Sequence, residues 1–182
     1  SFCTLKRGVF RHGREGEKGS AVWRIQPEDV TIIIDSREQA PFDLSPMRAE
    51  RGTLATGDYT VRGLEELVAV ERKELGDLIG CLCSGRERFT RELQRMKAYP
   101  ARVVVVEASW ADLASGNYRS QMEPEAATNT IASWTGRFCV PFMFCGDRRN
   151  AQIFAARFLF HEARRWAERA EALRAPQVAE AS

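Results

Sequence analysis

Gly57-Asp58-Tyr59-Thr60-Val61 and, past the connection Arg62–Glu66, Leu67-Val68-Ala69-Val70-Glu71-Arg72-Lys73 decide how this chain is organised. Each is a short run rich in apolar and β-branched residues, with Gly63 in the connection between them, which predicts two strands paired across a turn. Strand side chains repeat every second residue, so Glu71 and Lys73 lie on one face. If the two runs pair, Asp58 and Glu71 meet. One face then offers two carboxylates and an ammonium, a grouping that suits a divalent metal and an activated water. Taken alone, the same residues also describe a charged surface hairpin.

Upstream, Val30-Thr31-Ile32-Ile33-Ile34-Asp35 reads as a strand buried on both faces. It runs into Asp35-Ser36-Arg37-Glu38 and a loop with Pro41 and Pro46. A polar cluster at the end of a buried strand is where α/β folds place sites. Met47–Arg51 reads as a turn or a piece of helix. Downstream, Leu75, Leu78, Ile79 and Leu82 recur at helical spacing over Glu74–Leu82, and Ser84-Gly85 breaks the pattern. Arg86–Tyr99 is a second helix with Phe89, Leu93 and Met96 inward, ended by Pro100. Val103–Val106 is a strand. Ser109 caps a short helix closed by Gly116, Tyr118-Arg119-Ser120 is a loop, and Pro124 opens a helix to about Phe138. Val140–Cys145 is a third apolar strand. Asp147 caps a long helix over Arg148–Leu173, apolar nearly all round between Ile153 and Phe160. A hairpin-like pair followed by alternating strands and helices predicts an α/β fold: a mixed β-sheet flanked by helices.

The 182 residues suit one domain over 29–174, with a basic flexible arm at 1–28 and a frayed tail at 175–182. Lys and Arg total 27 against 25 Asp and Glu, so any basic surface must be local. The two histidines, His12 and His161, exclude chemistry built on several imidazoles and leave carboxylates and lysine. The five cysteines lack the paired spacing of a zinc site; they read as reduced, which points to a cytoplasmic protein. No run approaches the length of a membrane span and no leader pattern is read. Trp110 and Trp134 read as core residues, and the spacing of Cys81 and Cys83 as chance.

Asp35, Glu38, Asp58 and Glu71 now fall near strand ends, with Arg37, Arg72 and Lys73 beside them. Concentrated negative charge next to buried strands is costly unless a cation neutralises it. The order Asp35-Ser36-Arg37-Glu38, then Gly57-Asp58-Tyr59, then Val70-Glu71-Arg72-Lys73 with Asp77 four residues on, resembles the nuclease domain of the XPF/Hef structure-specific endonucleases, in a layout similar to small bacterial or phage members. The resemblance runs through Gly85-Arg86 and Phe89 and covers about residues 30–165. It implies a restriction-endonuclease-like fold and hydrolysis of DNA phosphodiesters with Mg2+, or Mn2+ as a substitute, at branched, flap or junction structures in repair or recombination.

By motif, the resemblance makes Asp58 and Glu71 the metal ligands, with the Arg72 carbonyl a third and Asp35 a supporting acid. Lys73 positions or activates the water, Arg37 and Glu38 organise the site, and the Arg72 side chain pairs with a neighbouring acid. Asp77 holds the start of its helix against the strand. The larger relatives carry a tandem helix-hairpin-helix module, which these residues do not hold. DNA contact is therefore expected from Arg86, Arg88, Arg91, Arg95, Lys97 and Arg119. A homodimer through this domain is a further expectation, and the apolar last helix suits either a dimer seam or deep burial. A non-cutting DNA-binding partner subunit and a nuclease of broad specificity are the alternatives.

Overall fold

A computed structural model of the chain describes residues 25–174. The arm expected over 1–28 and the tail over 175–182 lie outside it, except that residues 25–28 belong to the folded body: Pro27 is buried in a single turn, Pro27–Asp29, and Ile25 packs on the core. Six strands form one sheet among the described residues: β1 (Thr31–Asp35), β2 (Arg48–Gly52), β3 (Tyr59–Val61), β4 (Val68–Lys73), β5 (Ala101–Val106) and β6 (Phe142–Phe144), in the order β2-β1-β3-β4-β5-β6. β3 runs antiparallel to β1 and β4, while β1–β2, β4–β5 and β5–β6 are parallel. The sheet is mixed and flanked by helices, as the sequence predicts.

Helices cover the two faces unequally. α5 (Arg148–Arg174) packs on one face against Ile32, Ile34, Tyr59, Val61, Val68, Val70, Val103 and Val105. α1 (Leu75–Leu82), α2 (Arg86–Met96), α3 (Trp110–Ser115) and α4 (Pro124–Phe138) cover the other, against Ala69, Val104 and Val106. Along β4 and β5 successive residues alternate between these two cores, as strand geometry requires. Ser109 caps α3 in a reciprocal box with Asp112, and Gly116 ends it in the left-handed region.

Two expected elements differ. Met47–Arg51 is neither turn nor helix: residues 48–52 form β2, an edge strand pinned by buried Met47. Its charged sequence suits an unpaired sheet edge, and tertiary pairing overrides its local preference. The strand expected over Val140–Cys145 is confined to Phe142–Phe144 at the opposite edge, because Pro141 has no N–H for a ladder and Val140 packs into the helical core. Trp134 is buried as expected, but Trp110 is 46% exposed, set edge-on against Phe144.

Candidate active site

The helix-covered alternation of β4 places Glu71 and Lys73 on the side of Ala69, and Arg72 on the side of Val70. The C-terminal end of β1 and the start of β3 lie side by side, marked by Asp35 and Asp58. An open cleft of about 540 Å³ forms there, lined among others by Asp35, Arg37, Asp58, Glu71, Lys73 and Glu92. The backbone fixes its floor. The N–H of Asp58 donates to the Val70 carbonyl and the N–H of Asp35 to the Asp58 carbonyl, both at 2.8 Å. Gly57, at φ +77°, makes the approach possible: a Cβ there would stand 3.0 Å from the Val70 oxygen.

Asp58 Oδ2 accepts the Arg72 backbone N–H at 2.8 Å. Lys73 Nζ donates to Glu71 Oε1 at 2.5 Å, lies 3.3 Å from the Arg72 carbonyl oxygen, and rests 5.2 Å from the centre of the Phe89 ring. Asp58 Oδ1 and Glu71 Oε2 take no hydrogen bond from the described residues. Burial, then the Asp58 charge, pushes the Glu71 carboxyl up to about 7. Burial likewise raises Asp58, against the Arg72 N–H and Lys73. Burial works to lower Lys73, but the charge and hydrogen bond of Glu71 outweigh it and hold the ammonium above its ordinary value.

Those two carboxylates therefore sit where charge is costly, each with an oxygen open, one lysine short of neutrality. No three His, Cys, Asp or Glu side chains of the described residues converge as a metal-holding group. Two carboxylates and a carbonyl still fit Mg2+, which keeps several of its waters and needs few protein ligands.

Asp35 behaves differently. Its oxygens accept the backbone N–H and Nε of Arg37, Nη2 of Arg37 and the backbone N–H of Leu54, at 2.7–2.9 Å. The Arg37 hydrogen bond leads these in lowering its carboxyl to about 2. Both oxygens are spoken for, so in this geometry Asp35 holds Arg37 and the Leu54 turn and offers no open ligand position. The Arg37 side chain is 73% exposed all the same, tethered at the cleft mouth.

On the opposite face, Arg72 lies over the Phe42 ring and donates to Glu107 at 2.6 Å and Glu74 at 2.7 Å, with Glu38 at 3.5 Å. The expected acid partner is thus three acids.

Residues 34–158, more than half of the chain, match the family described as the ERCC4 domain. The chain belongs to the ERCC4-domain family. Among solved structures, this ERCC4 domain is similar to XPF from Aeropyrum pernix, with a TM-score of 0.58 and 19% identity over 78% of this chain and 69% of that one. It is similar also to the same organism's XPF in complex with DNA, with a TM-score of 0.60 and 18% identity over 75% and 66%. No curated protein matches. The fold is thus that of an XPF-type nuclease domain, restriction-endonuclease-like, as the motif order implies.

The ERCC4 domain brings Asp35, Arg37, Glu38, Asp58, Glu71, Arg72 and Lys73 to one cleft, with Arg88 and Arg95 on its α2 wall. Arg86, Arg91, Lys97 and Arg119 do not line it. Arg86 instead lies over the Trp134 ring and reaches the Leu82 carbonyl, and Arg91 pairs with Glu87. Asp77 also lines the cleft but is exposed and makes no hydrogen bond to the strand, so it does not clamp the start of α1. Four residues went unread in the sequence. Glu92 accepts the Gly57 N–H at 3.1 Å and pairs with Arg95. Arg51 donates to the carbonyls of Asp35 and Glu38. Glu107 binds both Arg72 and Arg148. Of these, Glu107 carries a signal: it directly follows Val103–Val106, the same strand-end placement that marks Asp35.

Proposed function

We propose that this ERCC4 domain is a metal-dependent DNA endonuclease acting at branched, flap or single-strand/duplex junctions, in repair or recombination. The observation that carries the reading is the meeting of Asp58 and Glu71, both raised by burial, beside Lys73 in a cleft bordered by Arg37, Arg88 and Arg95. DNA as substrate is supported by the likeness to a solved XPF–DNA complex.

Asp58 and Glu71, with the Arg72 carbonyl, would hold Mg2+ or Mn2+, which supplies an acidified water and a counter-charge for a phosphoryl oxygen. Lys73, held by Glu71, orients the attacking water and offsets negative charge as it builds on phosphorus. Arg37, tied down by Asp35 and the Leu54 carbonyl, is exposed enough to meet the scissile phosphate with its remaining Nη1. Arg88 and Arg95 receive the flanking phosphates. Water attacks phosphorus in line with the leaving 3′ oxygen, which leaves a 3′-hydroxyl and a 5′-phosphate.

The test compares flap, splayed, plain-duplex and single-stranded DNA with Mg2+ and then Mn2+. We expect branched substrates to be cut fastest, with Asp58→Asn and Lys73→Ala slowed by about 10²–10³-fold. Equal rates on all four substrates would favour the broad-specificity nuclease; salt-sensitive binding with no cleavage would favour the partner subunit. Wild-type rates in both variants would refute the site. The reading includes a homodimer through this domain, supported by the half-buried Ile153, Phe154 and Phe158 on α5.

A further inference from the structure

The loop between β1 and β2 carries Arg37 and Glu38, yet few of its own residues bury apolar side chains before Phe42. Its backbone is held from outside. Arg51 takes the carbonyls of Asp35 and Glu38 at its start, at 3.0 and 2.6 Å. At its end, Nη2 of Arg148, the first residue of α5, donates to the carbonyls of Ala40 at 2.7 Å and Pro41 at 3.0 Å. Nη1 of the same guanidinium donates to Glu107 Oε1 at 2.9 Å, the very oxygen that accepts Arg72 Nε. The two guanidinium groups also lie against the Phe42 ring, at 5.2 and 5.6 Å. Phe42 in turn stacks on Tyr59, whose hydroxyl accepts the Phe42 N–H.

We propose that Arg148 is a positioning residue for the cleft: through Glu107 and the Ala40 and Pro41 carbonyls it locks the loop bearing Arg37 and Glu38 to β4. It does not line the cleft and acts on it through other residues. Two short carbonyl bonds fix where the loop runs, and the shared Glu107 oxygen ties that position to the strand that presents Glu71 and Lys73. The guanidinium divides these bonds between two nitrogens held in one rigid plane, a span that the single ammonium nitrogen of a lysine does not have. The inference rests on the nuclease reading for its kinetic consequence, but its structural claim can be measured without activity.

Two measurements on Arg148→Ala and Arg148→Lys test it. Backbone hydrogen exchange should accelerate about tenfold over residues 36–42 in both variants, with β4 unchanged. On flap DNA with Mg2+, kcat should fall by about 10–100-fold with KM nearly unchanged. In an Arg37→Ala background that further loss should shrink to under about threefold, because the same element is already disabled. Unchanged exchange over residues 36–42, or a kcat loss of equal size with and without Arg37, overturns the proposal. If the wild-type protein cuts no DNA, the nuclease reading fails while exchange still decides the role of Arg148. Arg148→Lys covers the case in which the alanine variant does not fold.

Discussion

Asp35 and Glu71 close β1 and approach the end of β4, one strand apart, and are buried to a similar degree: their side chains are 2% and 9% exposed. Their chemistry is opposite. Four N–H donors fill Asp35, which stays ionised down to about 2. One ammonium meets Glu71, Asp58 crowds it, and it keeps its proton up to about 7. Burial alone therefore does not fix a carboxylate's charge. The supply of donors does, and it separates an acid that serves the architecture from one left wanting a cation.

Exchanging each carboxylate for its amide should break this contrast in opposite directions. Glu71→Gln should lower cleavage by about 10³-fold and weaken Mn2+ binding, yet raise the thermal midpoint of the metal-free protein at pH 8, because it removes a charge the fold holds at a cost. Asp35→Asn should lower stability by roughly 2–4 kcal/mol, because the amide nitrogen confronts the donors of Arg37 and Leu54, while Mn2+ affinity falls far less. Calorimetric melting with Mn2+ titration of both variants measures the stability and metal effects, and flap-DNA cleavage measures the rate. If Asp35→Asn abolishes Mn2+ binding in a folded protein, Asp35 is a ligand after all.

The pH dependence sharpens the contrast. Glu71 has a folded-state value above its unfolded 4.5, so between about 4.5 and 7 the native state holds the extra proton. Metal-free stability should decline as pH rises through that window, by about 3 kcal/mol in all. Asp35 has a folded-state value below its unfolded 3.8, so its contribution is present above that pH and disappears as pH falls towards 2. Denaturant unfolding from pH 3 to 8 should show a decline at both ends. Glu71→Gln should flatten the alkaline limb alone, and Mn2+ affinity should increase with pH up to about 7.

The smallest effect separates arginines at the cleft from those away from it. Arg88→Ala and Arg95→Ala should each reduce the salt dependence of DNA binding by about one unit of slope, and Arg91→Ala by clearly less. Fluorescence anisotropy from 50 to 300 mM salt, with metal chelated, distinguishes them. Equal slopes for all three would remove the α2 wall from the DNA path.

What could be read in advance was local. Period-2 alternation set Glu71 and Lys73 on one face, and the β-branched run ending at Asp35 announced both a buried strand and a site. β2 escaped because Arg48-Ala49-Glu50-Arg51 has the composition of a helix and becomes a strand only by pairing with β1. Glu107, Arg148 and Glu92 escaped because their partners are remote: Arg72 meets Glu107 across 35 positions and Arg148 meets it across 41. The arginine face of α2 was legible as a face, but which of its members border the cleft depends on how the helix is rolled against Trp134 and Phe142.

Arg72 stands between Glu71 and Lys73 in the chain and on the other side of the sheet in space. A slip of β4 by a single residue would therefore carry one guanidinium to the face now held by Glu71 and Lys73 and strand an acid and an amine among Phe42 and Tyr59. Every odd-numbered slip of this ribbon is electrically wrong twice over. The Glu71-Arg72-Lys73 triplet thus doubles as a proofreading mark for the register of assembly.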